Sequence, residues 1–529
     1  MSESAVGPTG GGEPRDDATL SELQLPAELR DAVRLRGESV PRGADGVEGD
    51  GVLVPGENLP LVGGAVRFLD ERTGVATFGR TALQKVFPDH WSFLLGEVAA
   101  FSFVVLLLTG TFLTFFFRPD STPTTYTGPY VPLDGTTVSS AFASVMRLSF
   151  EVRAGLLMRQ VHHWAALLFI AAIVTHLARV FFTGAFRRPR ELNWIIGFGL
   201  LVIALGEGFT GYSLPDDLLS GTGLRIFYTV ALSIPFIGPW LASLAFGGIF
   251  PSQAFLSRLF VLHVMLLPGL LIGGISIHLL ILWLQKHTQY KRPGATERNV
   301  IGMSLWPGQA FRSLGLFFLT VAVVTLLGGF FQINPVWVYG PFVPYTAASP
   351  AQPDYYIGWL EGLLRVAPGW QVTLFGITIP EPFVPGVVVP GLLFTIIGAW
   401  PFIEARITGD HRQHNLLDWP WEAPARMATG VALGSIFVVL MLAGANDVIG
   451  AWLGIPVETL TVIFRVLIFV VPLAAWIATY WLARGRLERA AAPVEPSGGI
   501  ALRRNPAGGF EKVQERPSAE AAIGRGAEQ

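Results

Sequence analysis

Eight apolar stretches run through the chain, at 91–117, 154–182, 193–213, 259–284, 314–333, 385–404, 427–446 and 461–483. Each has the ~20 residues needed to cross a hydrocarbon core of about 30 Å. Lipid offers no partner to a backbone N–H or C=O, so stretches of this kind fold as helices that satisfy themselves. The expected fold is therefore all-α and polytopic, with eight transmembrane helices in the lipid bilayer. Composition agrees: 51% of the 529 residues are hydrophobic, 14% are charged, and the mean hydropathy is +0.49. A soluble domain carries roughly a quarter charged residues. A net charge of −2 leaves no electrostatic footprint for nucleic acid. The chain has no cysteine, which excludes disulfides, zinc–thiolate sites, iron–sulfur ligation by its own residues and thioether-linked haem. Any haem must be held non-covalently, through His or Met.

Residues 1–86 are rich in Gly, Pro and charge and hold no apolar secretory core, so they are expected to form a polar cytoplasmic extension; 485–529 reads likewise. An even number of spans puts both termini on one side. Basic residues cluster on that same side, in RVFFTGAFRRPRELN, in QKHTQYKRPGATER, at Arg406, Arg412 and Arg426, and in ARGRLER. Positive charge marks the cytoplasmic face, so a multi-pass plasma-membrane protein with cytoplasmic termini is expected. Two loops on the opposite, outer side are long, near 214–258 and 334–384. Loops of that length usually carry function.

Imidazole sits poorly in hydrocarbon, yet RQVHHWAALLFIAAIVTHLAR in the second span carries His162, His163 and His176. His162 and His176 are 14 residues apart, a rise of about 21 Å with both side chains on nearly one face. In the fourth span, RLFVLHVMLLPGLLIGGISIHLL, His263 and His278 are 15 apart. Both spans run from the outer to the inner side. His162 and His263 therefore share an outer level, and His176 and His278 an inner one. Paired imidazoles at two levels point to two bis-histidine haems stacked in a four-helix bundle over 87–290. Interhelical hydrogen bonding or a proton path is the alternative for each histidine. His163 lies ~100° round the helix from His162 and reads as a packing or hydrogen-bonding residue, with ligation in place of His162 the alternative.

Gly96 and Gly110 in the first span, and Gly197 and Gly211 in the third, repeat the 14-residue step of His162 and His176. Glycines there would let a flat macrocycle approach the helix. They are also common where membrane helices pack together. Arg159, Arg179 and Arg258 flank the histidines and would pair with haem propionates, since buried arginines need anionic partners; Arg179 can equally snorkel to the cytoplasmic interface.

These residues resemble the cytochrome b subunit of cytochrome bc complexes, over about 85–485. GLLMRQVHHWA resembles the family's RYLH stretch, and THLAR its second-ligand motif. GYSLPDD is similar to the GYVLPW segment after the third helix. IPFIGPW, Gly247–Gly248 and SRLF fit the loop leading into the fourth. QPDYYIGWLEGLLR resembles the PEWY motif and the helix that follows it: Pro353 and Tyr356 match, Asp354 replaces Glu and Tyr355 replaces Trp. KVFPDHWSFLLGE, EVRAGLL, FFTGAFRRPRE, SLPDDLLSGTGLR, QKHTQ and HNLLDWPWE look like the actinobacterial group, as does the 15-residue histidine spacing.

The resemblance implies a quinol:cytochrome c reductase subunit with two non-covalent b haems. An outer quinol site would be built from Pro353, Asp354, Tyr355 and Tyr356, on a loop within 291–484 that also holds the last four spans. Asp354 would take a quinol proton, with Glu207 a second candidate; Asp354 also reads as a turn or cap residue beside Pro353. His287 and Arg312 are the candidates for an inner quinone site, where a solvated cytoplasmic rim competes. One quinol electron would go to a Rieske iron–sulfur protein and a haem c subunit, the other across the b haems to the inner quinone, with proton translocation. Menaquinol is the implied quinol. A homodimeric complex is implied as well, and its joining a terminal oxidase in a supercomplex. Two other classes use intramembrane histidines: the dihaem anchor of a dehydrogenase or hydrogenase, and a proton-coupled transporter.

Overall fold

A computed structural model describes residues 60–346, 352–491, 501–504 and 510–513. The chain divides into two compact units, residues 1–80 and 81–529. Of the first, residues 60–80 are described. A helix Pro60–Thr73 ends at Gly74, whose φ of +66° reverses the chain into a helix starting at Val75. Most of the sequence expected to be an N-terminal extension lies outside the described residues. In the C-terminal stretch, Ala501–Arg504 pairs antiparallel with Phe510–Val513.

Among its described residues the second unit contains eight helices long and apolar enough to cross a membrane. They are α1 (Trp91–Thr114), α2 (Gly155–Phe182), α3 (Glu191–Tyr212), α4 (Phe255–Gln285), α5 (Leu305–Phe330), α6 (Val384–Thr408), α7 (Pro424–Gly444) and α8 (Val457–Ala490). Every one overlaps a stretch read from the sequence. The largest shift is at α5, which starts at Leu305 rather than 314. There the chain kinks at Trp306, which is extended at φ −111° and ψ 134°, ahead of the regular helix from Ala310, and the polar Arg312 hides this start from a hydropathy reading. Beyond its apolar part α8 continues into ARGRLERA, where Arg484 donates to Glu488 one turn on at 2.8 Å.

A π-helical turn, Leu262–Leu266, lies inside α4 and contains His263. A π turn takes up one extra residue without ending the helix. That accounts for the 15-residue step between His263 and His278 beside the 14-residue step on α2. The added residue is absorbed at the level of His263, and both histidines still face inward.

Helices α1 and α2 pack along each other, as do α3 and α4, and the two pairs join chiefly where α2 meets α3. Between them lies a core that includes Phe103, Phe169, Ile170, Leu200 and Leu271. Helix α5 lies on α1 and α2, and α6 on α3. Helices α7 and α8 form a separate packed pair with a short helix, Tyr355–Val366, around Trp359, Leu440 and Phe464.

The end of the bundle that bears His162 and His263, called outer here, is roofed by folded loops. A hairpin, Pro123–Thr125 with Thr137–Ser139, leads into a helix, Ser140–Phe150. The 214–258 loop holds helices Leu218–Leu232 and Gly238–Phe246. The α5–α6 connection holds Val336–Tyr339, Tyr355–Val366 and a hairpin of Val372–Leu374 with Ile377–Ile379. Two of these covers are stitched together: Leu218 N–H donates to Gly340 O at 2.9 Å, and Phe342 N–H to Asp216 O at 3.0 Å.

The inner end is tied by charge. Buried Arg190 donates to the carbonyls of Gln285, Lys286 and His414 and to Asn415. Buried Arg426 bridges Glu404 on α6, at 2.6 Å, and Asp418, at 3.1 Å.

Close backbone contact holds the 355–366 helix on α7. A Cβ at Gly362 would lie 1.8 Å from Leu440 O, and one at Gly444 would lie 2.4 Å from Gly358 O. Gly362→Ala is expected to force the helices apart and destabilise by about 1–3 kcal/mol. The check is a lower thermal-unfolding midpoint of the detergent-solubilised protein than for wild type.

Candidate functional site

The four histidines on α2 and α4 stand where helical spacing places them. At the outer level the ring centroids of His162 and His263 are 6.2 Å apart with planes at 77°. Both rings border a cavity of about 440 Å³. At the inner level His176 and His278 lie within electrostatic reach of each other.

Each ring rests on a glycine of the neighbouring helix. A Cβ added at Gly110 would lie 3.2 Å from His162 Cε1, at Gly96 3.3 Å from His176 Cε1, and at Gly197 3.2 Å from His278 Cε1. At Gly211 it would lie 2.4 Å from His263 Cε1. The glycines were read from sequence as room for a macrocycle; in the structure the room is taken by the imidazoles themselves. Glycine lets the Cε1 edge of each ring press against the next helix.

Hydrogen bonds set the tautomers at the outer level. His162 Nδ1 is 2.9 Å from Thr109 Oγ1, whose own hydroxyl donates to Val105 O. Thr109 therefore accepts, and His162 Nδ1 carries the proton. His263 Nδ1 donates to Glu207 O at 3.1 Å and lies 3.1 Å from the Glu207 Oε1 carboxylate oxygen. With Nδ1 protonated, the Nε2 lone pair is left for a metal. Glu207 thus orients a ring, a role that its position at a helix end did not reveal.

The fit to iron porphyrin follows from this donor set. Among the described residues no cluster of three or more His, Asp or Glu could cage a free ion. A porphyrin supplies its own equatorial nitrogens and needs only two axial imidazoles. Buried guanidinium donors are also left over: Arg159 Nη1 and Arg179 Nε have no partner, which suits carboxylate side groups. Arg159 Nη2 donates to Asn334 O at 2.8 Å, and Arg179 lies over the Phe93 ring at 4.7 Å. Arg258 is not brought to the cavity. It is exposed and donates to the Ser243 and Leu244 carbonyls at the end of the 238–246 helix.

Asp354 lines the same cavity. It occupies the N-cap position of the 355–366 helix, but its side chain makes no capping bond. Instead it takes Nε2 of His163 at 3.0 and 2.9 Å, Asn334 Nδ2 at 3.2 Å and Tyr356 OH at 3.0 Å. Burial and the nearby Asp354 raise the Tyr356 phenol well above its usual pKa, so it stays a donor. Tyr355 OH donates to Leu167 O at 2.9 Å. Pro353 precedes the site, and Gln352 Nε2 donates to Asp447 Oδ1 at 2.9 Å. His163, read from sequence as a packing or hydrogen-bonding residue, hydrogen-bonds Asp354; Asn334 has no role assigned on sequence grounds.

At the inner end His287 packs its ring on Phe87 with centroids 4.4 Å apart, and its buried Nε2 has no partner. Burial, then Lys85, Arg190 and Arg179, pull its pKa down to about 4, so the ring is neutral. Lys85 Nζ donates to Trp283 O at 2.5 Å and sits 3.8 Å over that indole ring. Arg312 is apart from this group, paired with Asp89 at 2.8 Å.

The fold and this site define a polytopic membrane protein with paired intramembrane histidines at two depths. The protein-family model described as Cytochrome b(N-terminal)/b6/petB matches residues 167–341. The cytochrome bc1 complex cytochrome b subunit of Streptomyces coelicolor is 46% identical over 424 residues, covering 79% of this chain and 77% of its own. That of Mycobacterium leprae is 48% identical over 413 residues, covering 78% and 75%. A solved structure, Hyperthermophilic respiratory Complex III, aligns with a TM-score of 0.58 at 20% identity, over 79% of this chain and all of that one; it supports the fold. The chain belongs to the family of cytochrome b subunits of cytochrome bc1 complexes.

The geometry separates the adjacent histidines. His162→Ala is expected to remove one of two b-type pigments from the purified protein. His163→Ala, whose ring faces Asp354, is expected to keep both. A redox difference spectrum in the visible range checks both outcomes.

Proposed function

We propose that the chain is the cytochrome b subunit of a respiratory quinol:cytochrome c oxidoreductase, oxidising quinol in the outer cavity. One observation carries this reading: His162, His263 and Asp354 border one apolar cavity, so an electron and a proton can leave the same substrate there. The two electrons divide between a Rieske iron–sulfur subunit, which passes its own to a haem c subunit, and an inner quinone, with proton translocation. The quinol is taken to be menaquinol. The complex is taken to be dimeric, in the plasma membrane, able to join a terminal oxidase, with both termini cytoplasmic on the side of the basic loops.

His162 with His263, and His176 with His278, would hold two non-covalent haem b groups, which when bound supply one-electron carriers at two depths. The 87–290 segment is then the dihaem bundle, and 291–484 contributes the outer quinol loop. Arg159 and Arg179 offer free guanidinium donors to anionic side groups.

Three donors aim the Asp354 carboxylate at the cavity. A quinol hydroxyl within hydrogen-bond reach can give it a proton, the work of a general base. Tyr356 and Asn334 stabilise the carboxylate before transfer, and the apolar walls keep water scarce. At the inner end, neutral His287, with its free Nε2, is the candidate to bind a quinone oxygen, with Lys85 beside it; Arg312, held by Asp89, would take part only from the rim.

Asp354→Asn preserves the shape and removes the base. It is expected to slow quinol oxidation by about a hundredfold while both b-type pigments remain. Full pH-dependent activity in that variant would remove Asp354 from the mechanism.

A further inference from the structure

The segment GYSLPDD, residues 211–217, ends in two adjacent carboxylic acids that the outer-site chemistry above leaves unused. Both are buried, Asp216 at 8% exposure and Asp217 at 2%. Carboxylates are rarely found so deeply buried without a cationic partner. Neither makes an ion pair among the described residues, although Arg159 is near enough to Asp217 to act on it electrostatically.

The two side chains go to different places. Asp217 lines the outer cavity together with Asp354, Tyr356 and Arg159. Asp216 instead lies beside Ser139, at the end of the outer hairpin strand Thr137–Ser139, where the surface begins. The backbone enforces this divergence. Asp216 has φ +55°, a left-handed conformation uncommon in a residue with a Cβ, and Asp217 is extended at φ −89°, ψ 170°. The clamp from Phe342 N–H to Asp216 O and from Leu218 N–H to Gly340 O holds the turn. Strained non-glycine conformations of this kind persist where surrounding structure over-determines them, and they cluster at functional sites.

Asp217 and Asp354 are also linked through shared neighbours. Tyr212 from α3 and Tyr339 from the 336–339 helix each feel the charge of both carboxylates. The charged and titratable groups facing Asp217 are thus Arg159 on α2, Tyr212 on α3, Tyr339 and its neighbour Asp216.

We propose that Asp217 and Asp216 form the outward proton exit of the outer cavity, Asp217 taking the proton that Asp354 gains from quinol and Asp216 passing it to the Ser139 side of the roof. The inference rests on the quinol-oxidation reading. Each hand-over runs through hydrogen-bonded water between the carboxyl groups: an O–H bond on the donor acid breaks as one forms on water, and water's own O–H bond breaks as one forms on the next carboxylate. No electron moves. Burial raises Asp217 above the ordinary carboxylate range and Asp216 to about 6. A carboxyl group accepts a proton only above its pKa, so the exit opens as pH rises through this region.

Asp217 also caps the 218–232 helix, with Ser220 N–H on Oδ1 at 2.9 Å. Asparagine caps as well as aspartate does, so Asp217→Asn keeps the cap and removes the proton acceptor. The test compares wild type, D217N, D217E, D216N and D354N in the intact purified complex, with a short-chain menaquinol as substrate. D217N is expected to keep both b-type pigments and to lower quinol oxidation at least about tenfold. It should also lose the acid limb of the pH profile and a buried-carboxyl C=O band in the redox-difference infrared spectrum. D217E is expected to restore much of the rate. D216N, remote from the helix cap, is expected to show the same altered pH profile, which keeps the test open should D217N fold poorly. Wild-type rate, pH profile and infrared band in D217N and D216N, with D354N slow, would overturn the exit and leave the outer quinol site standing. Unimpaired D354N would overturn the underlying reading instead.

Discussion

Four imidazole rings laid against four glycines are the contact on which the bundle depends. Burying a histidine in a bilayer costs free energy unless its nitrogens find partners. Here the Cε1 edge of each ring presses on the next helix at a position with no side chain. Helices α1 and α2 thereby become one wall, and α3 and α4 another. At the outer level Thr109 and Glu207 take the Nδ1 protons, and the other ring nitrogens are left free. A methyl group at Gly211, 2.4 Å from the His263 ring, could not be accommodated without moving that ring.

The outer cavity follows from this arrangement of walls. It is mostly apolar, and its polar groups come from elements far apart in sequence: His162 and His163 from α2, Glu207 from α3, Asn334 and Asp354 from the α5–α6 connection. In a low-dielectric enclosure each such group acts strongly on its neighbours. Asp354 is fixed by three donors, and Asp217 is fixed by its helix cap. The cavity therefore presents carboxylates in set directions beside a histidine pair. The inner end is built differently, with Arg190 and Arg426 bonding loops and helix ends together and His287 kept neutral among cations.

Much of this was legible in the sequence, because hydropathy and helical period are local properties. The spans could be read from segment length, and the levels of His162, His176, His263 and His278 from 1.5 Å per residue. Other features were not local. His163 meets Asp354 across 191 residues of chain, and nothing near either residue announces the other. The one-residue excess on α4 could be seen, but its resolution in a π turn at His263 could not. Arg258 had the right residue type and position for a propionate partner, yet carbonyls at the end of a neighbouring helix take its donors.

By itself, then, the sequence determined an all-α body of eight spans and put histidines at two depths, since lipid forces backbone bonding within each segment and the helix sets every residue's height. Which surface each ring would press on, which carboxylate would face the cavity and which would turn to the roof were decided by tertiary packing. Those outcomes depend on how separate helices and loops meet, and that is settled by close contacts and hydrogen bonds between residues that no local pattern connects.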